Sequence, residues 1–150
     1  LALAEVRQGV LARAAALVAE AQRLASSGGD RERVALDLRL VRAWIQIQVG
    51  SVMDAETEAR RAISLDPDDG RAQYALARVF LARDEDAVGA LERAVAGHHP
   101  PPEAHAHLAL ALGRGEAACL AATRARSRAP GYEASRLRRV ECAGVPLSRR

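Results

Sequence analysis

Three sets of small residues recur along the chain at nearly constant spacing. Ala55, Ala59 and Ala62 are followed by Ala87, Leu91 and Ala94, and then by Ala118, Ala122 and Ala125; the second set lies 32 residues after the first and the third 31 after the second. Steps of four and three within each set place its side chains on one face of a helix. A face of small residues lets a neighbouring helix approach closely, and a larger side chain there would cost roughly 1–3 kcal/mol by overpacking. A second correspondence precedes the sets, because Leu76, Ala77 and Phe80 match Leu108, Ala109 and Leu112. The repeating unit is therefore a pair of helices.

Punctuation agrees with the period. Residues 1–26 carry Leu3, Val10, Leu17 and Leu24 every seven residues, the stripe of a long amphipathic helix, which ends at Ser26-Ser27-Gly28-Gly29-Asp30. The next helix puts Val34, Leu38, Val41, Ile45 and Val49 on one face and breaks at Gly50-Ser51. A third runs from about Met53 to Leu65, where Asp66-Pro67 stops it, since the residue before proline is pushed out of the α region. Asp68 and Asp69 then offer carboxylates to the free N–H groups of a helix covering about 70–82. Further helices are expected over 87–97, 103–112 and from Gly115 to Ala129, with a last one over 132–142.

Composition supports helices with a modest core. Ala accounts for 34 of the 150 residues and aromatics for 3%, while no strand-like alternation occurs. The net charge of +3 is carried entirely by arginine, with neither Lys nor Asn anywhere. Both absences follow from a GC-rich genome, which points to a bacterial source. Residues 124–150 hold eight Arg against Glu133 and Glu141, whereas the first 123 residues hold 14 Arg against 17 acids. The body is mildly acidic and only the end is basic. Cys119 and Cys142 have no metal-ligand or redox spacing, and Cys119, in a helical Ala run, reads as a small buried hydrophobe. No apolar stretch is long enough to span a membrane. The first 25 residues, with Glu5 and Glu20, read as an amphipathic helix and not as a signal peptide. That favours the cytoplasm; a targeting segment missing from a fragment beginning with Leu would place it in the periplasm instead.

"LARVF" (76–80) with "AVGALERAV" (87–95), and "AETEARRAISLDP" (55–67), resemble the tetratricopeptide repeat family. The shared features are an apolar pair and a small residue in the first helix, a small-residue series in the second, and a closing Pro. The period here is 31 to 32 residues, against about 34 in the family. The resemblance covers about residues 34–130, and Ala14, Val18 and Ala21 fit a degenerate second helix. It implies an all-α fold of seven to eight helices, with antiparallel helix-turn-helix units stacked into a short right-handed superhelix. Residues 1–30 would be the long N-terminal helix, 31–131 about three helix pairs, 132–143 a capping helix and 144–150 a tail. It also implies a concave groove lined by the first helix of each pair, where the family usually binds an extended peptide or a partner helix.

Helix rotation nominates the groove residues. With Leu76, Ala77 and Phe80 in the core, Arg71, Tyr74 and Arg78 share the other face, and Glu103 and His107 fall similarly beside Leu110. Arg and Tyr are enriched at binding hot spots. Trp44 falls in either the core or the groove, depending on where one residue is inserted near Val49. Chemistry is harder to find. His105 and His107 point roughly 200° apart on a helix and cannot share a metal. "DEDA" and "DPDDG" lack calcium-loop spacing, and neither a phosphate loop nor a nucleophile with its base can be read. No metal, cofactor or catalysis is expected. The reading is a non-catalytic adaptor for a protein or peptide partner, within a larger bacterial protein or complex. Two alternatives are a regulatory or nucleic-acid-binding domain using the Arg-rich end, against which the few aromatics count, and self-assembly through the N-terminal heptad helix.

Overall fold

The computed structural model describes residues 31–113 and 116–128, together with 12, 13, 16, 18–20 and 23; of Glu116, Arg126 and Arg128 it describes the backbone alone. The expected capping helix, the tail and most of the first helix lie outside the described residues, although those described between 12 and 23 are helical. Among the described residues six helices follow: α1 (Arg31–Val49), α2 (Val52–Leu65), α3 (Gly70–Ala82), α4 (Val88–Ala96), α5 (Pro102–Leu112) and α6 (Glu116–Arg128). The fold is all-α. Among the described residues there is no strand, only an isolated backbone bridge between Asp69 and His98.

Each helix ends for a local reason. Gly50 turns α1 into α2 at φ +85°, a left-handed conformation that glycine adopts without a Cβ penalty. Asp66 closes α2 in the extended region that Pro67 imposes on it. Asp69 opens α3, its side chain accepting from the N–H groups of Arg71 and Ala72. Of the two carboxylates expected to cap α3, it is Asp69 that does so; Asp68 uses its backbone carbonyl to accept the His98 N–H at 2.9 Å. Asp86 takes the Val88 N–H at 2.9 Å where α4 begins, and Pro102 opens α5, where a missing N–H leaves nothing unsatisfied.

Short turns fold the helices into pairs, α1 on α2, α3 on α4 and α5 on α6, and the pairs stack through α2 on α3 and α4 on α5. α1 also packs on α3. All nine residues of the three small-residue sets are buried at 3% exposure or less, seven of them with no exposed surface. Ala43, Ala77 and Ala109 on the first helices are likewise fully buried. Leu91, Val79 and Cys119 are the largest fully buried apolar side chains, so the core is a stack of methyl-lined crossings with few bulky fillers.

The turns between pairs also bind one another. Gly70 N–H donates to the His98 carbonyl at 2.7 Å, and His98 Nε2 meets Asp66 Oδ2 at 2.8 Å. Gln73, buried, donates from Nε2 to the Pro67 carbonyl at 2.9 Å and accepts from Arg93 Nε at 3.2 Å. Backbone comes so near at this joint that a Cβ on Gly97 would overlap the Asp68 carbonyl oxygen, and one on Gly70 the Ala94 carbonyl oxygen. Both glycines are required by close approach.

Cys119 is 1% exposed, as a small apolar residue should be, but it is also disulfide-bonded, which its sequence context did not suggest. The chain's other cysteine, Cys142, lies outside the described residues.

Gly97→Ala should destabilise the fold by about 2 kcal/mol, the scale of overpacking. Gly89→Ala, where a Cβ would meet nothing nearer than Arg93 Nη1 at 3.8 Å, should be neutral or stabilising by about 0.5 kcal/mol. Urea denaturation followed by circular dichroism separates the two. Reduction of the disulfide should remove about 2–4 kcal/mol, seen as a lower melting temperature in reductant that is absent in Cys119→Ala.

Candidate functional site

The buried Ala43, Ala77 and Ala109 settle the rotation of α1, α3 and α5. Each is followed by a residue on the face shared by the three helices: Trp44, Arg78 and Leu110. Six residues before each alanine stand Asp37, Arg71 and Glu103. The question left open by the sequence is thereby decided: Trp44 is 45% exposed and lies outside the core. Val41, three residues earlier on the same face, is 40% exposed.

Two interactions tie the three helices together on this face. Arg71 Nη1 donates to Asp37 Oδ1 at 2.8 Å, joining α3 to α1. Tyr74 Oη meets His107 Nδ1 at 3.0 Å with the rings stacked at 5.7 Å, joining α3 to α5. Arg78 lies over the Tyr74 ring with its guanidinium carbon 6.0 Å from the centroid, at the outer edge of a cation–π contact. The sequence nominated Arg71, Tyr74, Arg78, Glu103 and His107. The structure joins Tyr74, Arg78 and His107 into one ladder, and it places Glu103, half-buried, in the first turn of α5.

Arg71 has a different occupation. Besides Asp37 it holds Asp69, donating from Nη2 to Oδ2 at 2.7 Å and from Nε to both oxygens at 3.2 Å. Its guanidinium is thus spent inside the protein, in the network that caps α3. Asp69 is 2% exposed. Burial pushes its carboxyl up, but the Arg71 guanidinium and the backbone N–H groups of Arg71 and Ala72 together outweigh that and hold it below the usual carboxylate range. Arg78, by contrast, has no carboxylate partner among the described residues.

Elsewhere, Asp66, Asp69 and His98 place potential ligand atoms within 4.8 Å of one another, beside a cleft of about 320 Å³ that His99 and Arg71 also line. Asp69 accepts from Arg71 and two backbone amides, so a cation would compete with a guanidinium already in place. His98 and Asp66 satisfy each other. The trio is a clasp between turns, and its 32-residue spacing, equal to that between the first two small-residue sets, is the signal by which the sequence could have revealed it. A larger cleft, about 540 Å³, lies among Val18, Arg42, Asp54, Glu58 and Arg61. Its Glu58 is bridged by Arg39 at 2.9 Å and Arg61 at 3.1 Å, so that wall is internally neutralised. No described helix is long and apolar enough to cross a membrane.

Comparison of the chain with family models, with curated proteins and with solved structures gives no match.

Asp69→Asn should cost about 1–2 kcal/mol at neutral pH, because it removes the buried carboxylate that meets the partly exposed Arg71 guanidinium and leaves that cation with Asp37 alone. A carboxyl whose folded pKa is depressed stabilises the fold above its unfolded value of about 4 and loses that contribution as pH falls through the folded value. The wild type should therefore lose stability below about pH 4 with a steeper slope than Asp69→Asn, read from urea midpoints between pH 2 and 7.

Proposed function

We propose that the chain is a non-catalytic scaffold, a helical-repeat domain of the tetratricopeptide kind, which binds an extended peptide or a partner helix across the face of α1, α3 and α5. The observation that carries this reading is the pairing of an exposed Trp44 with an Arg78 that has no carboxylate partner among the described residues, at equivalent positions on adjacent helices. Trp, Tyr and Arg are the side chains that dominate binding energy at interfaces, and they converge here on rigid elements. The described clusters of polar groups elsewhere are consumed in ion pairs and caps, which supports a surface role over catalysis. A repeat array binds through such a surface, because each pair contacts only its neighbours and leaves one side of its first helix uncovered.

The disulfide-bonded Cys119 favours an oxidising compartment, and hence the periplasmic placement over the cytoplasmic one. The basic segment 124–150 and the heptad stripe of residues 3–24, on which the nucleic-acid and self-association readings rest, lie mostly outside the described residues.

The test is affinity capture from lysate of the source bacterium. Wild-type bait is run beside a variant carrying Trp44→Ala, Tyr74→Ala and Arg78→Ala, whose fold is checked by circular dichroism. Arg71 is left intact because its loss would disturb the α3 cap. A protein held by the wild type and lost by the folded variant supports the scaffold reading. Equal capture by both baits moves the site away from this face.

A further inference from the structure

The face described above has a polarity, and the polarity specifies its occupant. At the level of Asp37, Arg71 and Glu103, the Arg71 guanidinium is shared between Asp37 and Asp69, and Glu103 has no ion-pair partner among the described residues, so this end is acidic. Seven residues further along each helix, about 10 Å away, comes the row of Trp44, Arg78 and Leu110. It sets a single cation between two apolar side chains. Trp44 is exposed, Leu110 is partly buried against the core, and Arg78 is half-buried with no carboxylate within the described protein.

A half-covered guanidinium without a carboxylate is an incomplete site for a planar, bidentate acceptor. Tyr74 beneath it limits its rotamers and does not consume its N–H groups. Neighbouring helix axes lie about 8–10 Å apart, and an extended chain advances about 3.4 Å per residue. A chain crossing the row would therefore meet successive helices with every third residue. Charge, apolar flanks and spacing together define one ligand.

We propose that the Trp44–Arg78–Leu110 row binds an extended acidic segment of a protein partner, in which an Asp or Glu side chain is flanked by apolar residues three positions away on each side. The carboxylate pairs with Arg78, one apolar side chain packs on Trp44 and the other on Leu110. This rests on the scaffold reading above and names the class of partner that the same face takes.

The test uses an array of peptides acetylated and amidated at their ends, so that no terminal carboxylate competes. The central residue is Glu, Asp, Gln or Lys, and the residues three positions to either side are Leu, Phe or Ser. Binders are then titrated while following the fluorescence of Trp44, the one tryptophan in the chain. The expected result is enrichment of Glu or Asp at the centre with Leu or Phe at the flanks, accompanied by a saturable shift in Trp44 emission. Arg78→Gln, folded by circular dichroism, should bind the Glu peptides about tenfold more weakly, and Arg78→Glu should transfer the preference to Lys. Saturable binding that moves Trp44 emission but ignores the central residue overturns the acidic ligand and leaves the scaffold reading standing. Absence of any peptide that perturbs Trp44 overturns both.

Discussion

Where the helices of this protein cross, methyl groups are nearly all that stands between one backbone and the next. Ala43, Ala77 and Ala109 on the first helices, and Ala59, Ala94 and Ala122 on the second, have no exposed surface. A methyl buries little area, so each adds little hydrophobic stabilisation at about 25 cal/mol per Å². The gain is in approach, which multiplies dispersion contacts between backbones. A methyl-lined crossing is also smooth. It sets the distance between two helices and leaves their sliding poorly defined, because no long side chain interlocks. Register has to come from directional contacts elsewhere, and the inter-pair turns supply them. The Asp66–His98 pair, the Gly70 to His98 hydrogen bond and the Gln73 to Pro67 hydrogen bond join one turn to the next with defined geometry.

The same division explains what could be read from the sequence. The small-residue period survives as burial because period and burial are the same fact: only a residue without bulk tolerates those crossings. Helix ends at Asp66-Pro67 and Asp69 were legible because their causes are local. The ion pair of Arg71 could not be read, since its partner Asp37 comes from another helix 34 residues away. Trp44 was undecidable because the turn at Gly50 breaks the constant spacing; the burial of Ala43 restores the register. The Cys119 disulfide could not be read because neither spacing nor neighbours distinguish a bonded cysteine from a buried one.

Arginine is the sole basic residue beside histidine, so its distribution matters. Several of the described arginines are taken up by carboxylates on α2. Glu56 accepts from Arg60 and Arg83, and Glu58 from Arg39 and Arg61. Such exposed or half-exposed pairs contribute about 0–1 kcal/mol each. Their larger effect is to remove charge from the outer faces of α2. Arg78 escapes this neutralisation among the described residues: it lies over the Tyr74 ring, which offers no carboxylate.

The two sides of Arg78 are held by different chemistry. Toward α1, the Arg71–Asp37 ion pair and the Ala43–Leu76 packing set the separation. Toward α5, the Tyr74–His107 hydrogen bond works together with the clasp between turns. In a stack where each unit touches only its neighbours, the two separations are independent. Weakening the clasp would open the α3–α5 side while leaving Trp44 in register with Arg78. Breaking Arg71–Asp37 would do the reverse and would also loosen the α3 cap, because Arg71 serves both. The row that presents Arg78 is thus only as rigid as two joints that lie outside it, and each joint depends on a polar contact.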